Sequence, residues 1–179
     1  MKIIDGLLAE LEQEAQTTRR VLERIPQAHL SWKPHPKSMS LGQLALHVAT
    51  VPGNVAELAA IDTVPEPPAF VQSEAATAAE LVPSLTDSVS RAKKALGAFD
   101  DAKMGAMWRL QSGGKDILAM PRAAFVRAIM LNHWYHHRGQ LLVYLRLLNL
   151  SVPSVYGPTA DENPFAAGMT AAGAKVGSA

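Results

Sequence analysis

An all-α four-helix bundle is the fold this sequence predicts, and three observations predict it. Apolar residues recur at three- and four-residue steps over four long stretches, the period of helices with one buried stripe. Prolines and one Ser-x-x-Gln pattern punctuate those stretches where helices start and stop. A length of 179 residues suits a single domain, with connections of moderate length between the stretches.

The first stretch covers residues 3 to 25, with Ile4, Leu7, Leu8, Leu11, Ala15, Val21, Leu22 and Ile25 in helical register before Pro26 ends it. A proline-rich loop, HLSWKPHPKSMS, follows. Ser40, with Gln43 three residues on, fits a capping box and opens the second helix. Pro52 inside that helix should kink it or break its hydrogen bonding locally. TVPEPPAF is a loop, and Thr77 to Phe99 form a third helix with Pro83 in its first turns. Gly113 and Gly114 predict a tight turn, read as a short β-hairpin before the last helix. Pro121 suits the first turn of a fourth helix that reaches about Leu150 and is stopped by Pro153. Residues 1–160 then make one helical domain, and 161–179 a partly ordered tail of small residues. No internal repeat is visible.

Composition excludes several functions. The chain is 48% hydrophobic and 18% charged with a net charge of +1, so it has no strong basic field. Trp32, Trp108 and Trp134 do not sit in a basic, aromatic-interleaved patch, which argues against nucleic-acid binding. With no cysteine, disulfides, thiolate metal sites and cysteine nucleophiles are absent. Asp5, Glu10, Glu12 and Glu14 interrupt the run a secretory signal needs, and no uninterrupted apolar segment is long enough to span a membrane. A cytoplasmic protein with no membrane partner is the expectation.

The chain holds six histidines, three of them in LNHWYHHRGQLL. At about 100° per residue, His133 and His137 project within about 40° of each other on the apolar face of the fourth helix. Two imidazoles four residues apart can share one metal ion. His136 lies about 60° to the other side of His133 and is a flanking residue. His47, in register with Leu44, Val51 and Leu58 on the second helix, supplies a third inward-facing ring. Three neutral histidines would leave coordination positions open and suit Zn(II), Ni(II), Fe(II) or Mn(II). Spacing alone leaves a second reading standing, in which these rings are hydrogen-bonded core residues.

Three stretches together resemble the DinB-like superfamily of bacterial metal-binding four-helix bundles: SLGQLALHVAT, NHWYHHRGQLLVYLRLLN and VPSVYGP. The resemblance implies DinB-like topology over about residues 1 to 160 and a divalent-metal centre whose ligands fall on His47, His133 and His137. Arg138, Gly139 and Gln140 match the adjacent motif, read here as structural, with Gly139 allowing close helix packing and Arg138 meeting a carboxylate or a subunit interface. Characterised relatives imply S-transfer from a low-molecular-weight thiol to a small electrophilic substrate, or isomerisation of thiol adducts, and a homodimer. A fourth helix that is apolar nearly all round, with Leu131, Trp134, Leu142 and Leu145 off the histidine face, agrees with a dimer.

The expectation is thus a metal-dependent enzyme, performing thiol conjugation or hydrolysis by lowering the pKa of a thiol or water. Asn54, two turns from His47, and Tyr156, after the fourth helix, are candidates to orient substrate beside His136. No general base stands near the trio, with Glu57 and Asp161 as the remaining carboxylates to consider. The alternative is a non-catalytic, damage-inducible stress-response protein that binds a metal or ligand as a dimer.

Overall fold

The computed structural model describes residues 2–69 and 71–166. The tail expected over 161–179 therefore lies outside the described residues from 167 onward. Three long helices come first: α1 (Ile3–Leu22), α2 (Leu41–Ala60) and α3 (Leu81–Gly97). A short α4 (Asp101–Gly105) leads into the hairpin, β2 (Met107–Ser112) and β3 (Lys115–Pro121). Residues 122–147 then run as one helical rod in three parts: α5 (Arg122–Phe125), a π-helical stretch (Val126–Asn132) and α6 (His133–Leu147).

The four-helix bundle and the hairpin stand as expected. Gly113 and Gly114 have φ of 57° and 75°, the left-handed region a two-residue hairpin loop demands. A strand that periodicity did not signal, β1 (Thr63–Val64), joins β2 in parallel and completes a three-stranded sheet of order β1-β2-β3. The sheet closes one end of the bundle, where Trp108 stacks on Phe125 with ring centroids 3.9 Å apart.

The Ser40 capping box forms as read. Its hydroxyl accepts from the Gln43 N–H at 3.1 Å, and its own N–H donates to Gln43 Oε1 at 2.9 Å. Pro52 sits inside α2 without ending it. Its missing N–H leaves the carbonyl four residues back, on Val48, without the usual helical donor. The buried Trp134 indole donates to that carbonyl at 2.8 Å instead. One residue on, the Gly53 N–H donates to Ser88 Oγ at 2.8 Å, and Ser88 donates in turn to the Thr50 carbonyl at 3.0 Å. A Cβ on Gly53 would lie 2.8 Å from the Ser88 carbonyl oxygen, so α2 and α3 touch backbone to backbone here.

The core runs the length of α1, α2, α3 and the last rod, from Ile4 and Leu11 through Leu44 and Leu85 to Met130 and Leu145. Leu131, Trp134 and Leu145 are buried inside this chain, while Val143 and Leu147 on the same helix are exposed. Gly139 is a correction: it is exposed, nothing lies within 4 Å of a Cβ built there, and the helices approach closely at Gly53 instead. Among the described residues, no helix is long and apolar enough to cross a membrane.

Candidate metal centre

His47 is carried by α2 and His133 and His137 by the first turns of α6, so the site spans two packed helices. Each of the three side chains offers a ring nitrogen within 4.8 Å of the others. The rings pack edge to face, with centroids 5.3 Å apart for His47–His133, 4.6 Å for His47–His137 and 4.5 Å for His133–His137. All three are half-buried. They line the edge of the bundle rather than its centre, a difference that the π-helical stretch explains. Its wider turn re-phases the helix before His133, so Val126 and Met130 are fully buried while Ile129 and His133 face a cleft.

The hydrogen bonds fix two of the rings. His133 Nδ1 lies 3.3 Å from the Ile129 carbonyl oxygen, which can only accept, so this nitrogen carries the proton. His137 Nδ1 lies 2.8 Å from Gln140 Oε1 and carries its proton likewise. In the neutral rings each Nε2 therefore presents a lone pair. Those two Nε2 atoms face each other at 2.7 Å. Two lone pairs at that distance repel unless something electropositive lies between them.

A shared proton is disfavoured by the surroundings. Burial lowers the pKa of all three histidines. His47 is held at about 4, first by desolvation and then by the charges that His137 and His133 would carry. The rings are neutral at pH 7, the protonation state that metal ligation requires. The donor set thus fits a divalent cation: neutral nitrogens, converging, with the outer N–H groups of His133 and His137 already spent. This group of residues can hold a metal ion.

A cleft of about 590 Å³ opens beside His47 and His133. Its walls include Met39, Leu46, Val51, Val55, Leu58 and Ile129, together with residues 68–69 and 71–73. Asn54 lines this cleft, its Oδ1 accepting from Arg91 at 3.1 Å. His136 is exposed and touches only the edge of His137 among the three ligand candidates, at 5.0 Å between centroids.

Tyr156 is engaged elsewhere. Its hydroxyl donates to Glu14 Oε2 at 3.0 Å and accepts from Arg138. Arg138 is 1% exposed, pairs with Glu14 at 2.6 Å, and lies 5.2 Å from the Tyr135 ring centroid and 5.1 Å from that of Tyr156. This clamp ties α6 to α1 and to the segment after α6. The carboxylate that Arg138 was expected to meet is thus Glu14 of the same chain. Glu57 and Asp161 are also paired, with Arg91 and Arg146. Two supports were missed from sequence, Gln140 and the Ile129 carbonyl. Gln140 carried a readable signal, since it stands three residues from His137 on the same helix face.

Two solved structures share the fold. A DinB-like protein from Bacillus cereus ATCC 10987 superposes with a TM-score of 0.66 at 22% identity, covering 85% of this chain and 97% of that one. The DinB-like protein YjoA from Bacillus subtilis gives a TM-score of 0.63 at 18% identity, covering 84% and 97%. The uncharacterized protein YrdA of Bacillus subtilis (strain 168) is 26% identical over 166 residues, which is 89% of this chain and 91% of YrdA. The sequence model of the DinB family matches residues 2–165, nearly the whole chain, and the chain therefore belongs to the DinB family.

Proposed function

We propose that this chain is a metal-dependent enzyme in which His47, His133 and His137 hold a divalent cation, Zn(II), Ni(II), Fe(II) or Mn(II), and a thiol or water is activated for attack on a small electrophile. The observation that carries the reading is the pair of Nε2 lone pairs facing at 2.7 Å, with His47 against both rings, at the edge of a 590 Å³ cleft. A cation held there would supply Lewis acidity, lowering the pKa of a thiol or water at neutral pH.

The chain's own residues do the rest. Ile129 and Gln140 hold two rings in the ligating tautomer. Three protein nitrogens leave room for an external ligand, as catalytic sites do and closed structural sites do not. The apolar cleft wall keeps bulk water from one side of the centre. No carboxylate lines the cleft among the described residues, so as sulfur or oxygen bonds to the electrophilic carbon its proton leaves to solvent, and the carbon's bond to the leaving group breaks with the electron pair going to that group. A low-molecular-weight thiol fits the nucleophile role. The reading includes a homodimer, for which Val143 and Leu147, 57% and 56% exposed on α6, offer an apolar strip. A monomeric mass by light scattering at micromolar concentration would remove the dimer.

Elemental analysis of untagged wild type beside His133→Ala tests the centre. About one equivalent of a transition metal in the wild type, lost in the variant, supports it, and metal-dependent turnover of a thiol–electrophile pair would then establish the activity. No metal in either protein, even after incubation with all four ions, returns the rings to a packing role. Full metal loading without turnover across a thiol panel would favour a non-catalytic ligand-binding protein.

A further inference from the structure

The cleft beside His47 and His133 also restricts what can enter it. Its lining holds eight hydrophobic side chains from Met39 through Val71 to Ile129, and apart from the two histidines no ionisable side chain among the described residues. A volume of about 590 Å³ is that of a small-molecule site. A charged group brought into such a wall would lose its hydration and meet no counter-ion, which costs far more than an apolar group gains.

Among the uncharged polar side chains of the lining, Gln72 and Ser73 are exposed to solvent, and Gln43 and Thr50 are committed within the protein. Gln43 spends its oxygen on the Ser40 N–H and its amide nitrogen on the Gln72 carbonyl, at 2.9 and 3.2 Å. The Thr50 hydroxyl donates back to the Leu46 carbonyl at 2.9 Å. Asn54 differs. Arg91 holds its Oδ1, which orients the amide and leaves the NH2 group as a donor to an uncharged acceptor. Arg91 itself is neutralised by Asp87 and Glu57, at 2.9 and 2.7 Å, and offers no free cation to an anionic ligand.

We infer that the substrate body taken by this cleft is uncharged and largely apolar, with a carbonyl, ether or nitro-type acceptor placed for the Asn54 amide. This names the substrate class of the proposed metal site and so rests on that reading for its place beside the reacting centre. The nucleophile, charged or not, approaches from the histidine side rather than through the apolar wall.

Two dyes with nearly the same rings and opposite polarity test it: phenylnaphthylamine, uncharged, and anilinonaphthalene sulfonate, its anionic counterpart. Fluorescence titration of the full chain should show saturable binding of the neutral dye, at least tenfold tighter than the sulfonate. Val55→Asp should weaken the neutral dye tenfold or more. Thr50→Lys, which sets a cation in the wall, should narrow or invert the order of the two dyes, and circular dichroism checks that both variants fold. Sulfonate binding as tight as the neutral dye in wild type, or neutral-dye affinity unmoved in both folded variants, overturns the inference. His133→Ala separates the two proposals. If it keeps the neutral dye while the wild type binds no metal, the substrate class stands and the metal reading falls. One equivalent of metal with no neutral-dye binding does the reverse.

Discussion

Replacing Gln140 by Leu should weaken metal binding about tenfold without unfolding the protein. Gln140 Oε1 accepts the His137 Nδ1 proton at 2.8 Å, which holds the ring's lone pair toward His133 and makes the nitrogen a better donor. Loss of such an outer partner lowers metal affinity by roughly 10–100-fold. The lower end applies because Gln140 is exposed, so water can replace part of its bond. A tenfold loss is about 1.4 kcal/mol. Leu is as good a helix former as Gln, so the metal-free variant should melt close to the metal-free wild type. Zn(II) affinity measured by competition with a chelating dye reads the effect. Gln140→Glu, whose carboxylate is a stronger acceptor, should restore or exceed wild-type affinity. Equal Zn(II) affinity in wild type, Gln140→Leu and Gln140→Glu would refute the idea that this bond positions a ligand.

Three further outcomes follow from the same structure. Trp134→Phe should cost about 1–3 kcal/mol in urea denaturation by leaving the Val48 carbonyl unsatisfied, and less in a Pro52→Ala background, where the restored backbone N–H can take that carbonyl. Additive costs in that double-mutant cycle would show the indole bond is not filling the proline gap. Metal-free protein should lose thermal stability as pH falls from about 6.5 towards 4, because the unfolded chain takes up a proton that half-buried His47 refuses until about pH 4. Above pH 6.5 this group contributes no slope, and His47→Asn should flatten the 6.5-to-4 region of the melting curve. Arg138→Met should destabilise the fold by about 3–5 kcal/mol by leaving the Glu14 carboxylate buried without its cation, with Glu14→Gln recovering part of the loss. Equal stability of Arg138→Met and wild type in denaturant titration would contradict that account.

Sequence carried the four helices because local signals agreed with the tertiary outcome. The Ser40–Gln43 box and the glycine pair at 113 and 114 each act within a few residues and form as read, whereas the first helix ends at Leu22, ahead of the expected Pro26 stop. The histidine trio was legible for a related reason. Four-residue spacing fixes His133 against His137 on any helix, and the His47 face follows from its own apolar register. What periodicity could not show depends on contacts distant in sequence. The π-helical stretch 126–132 has no local signature, and ideal helical phase placed Val126, Met130 and His133 on one inward face where the structure separates them. Arg122 is a similar case. It looks like an ordinary helix-start cation, yet it is fully buried, donating to the Ala59 and Lys103 carbonyls at 2.7 Å and pairing with Asp62. Tyr156 reads as a candidate to orient substrate after the fourth helix, and only the fold shows its hydroxyl closing the Arg138–Glu14 pair.

The two helix irregularities meet at the histidine cluster. Val48 follows His47, and Trp134 follows His133. The single buried bond between that indole and that carbonyl therefore fixes the register of α2 against α6 one residue away from a ligand candidate on each helix. Pro52 opens the acceptor on one helix. The π-helical turn sets the phase of the other. A regular α2 would leave the Trp134 N–H competing for a carbonyl already bonded within the helix. A regular rod before His133 would turn its ring back toward Val126 and Met130. Each irregularity departs from ideal helix geometry alone, and together they bring three imidazoles from two helices to one point beside an apolar cleft. That is a physical reason for the irregular turns to lie where the histidines lie.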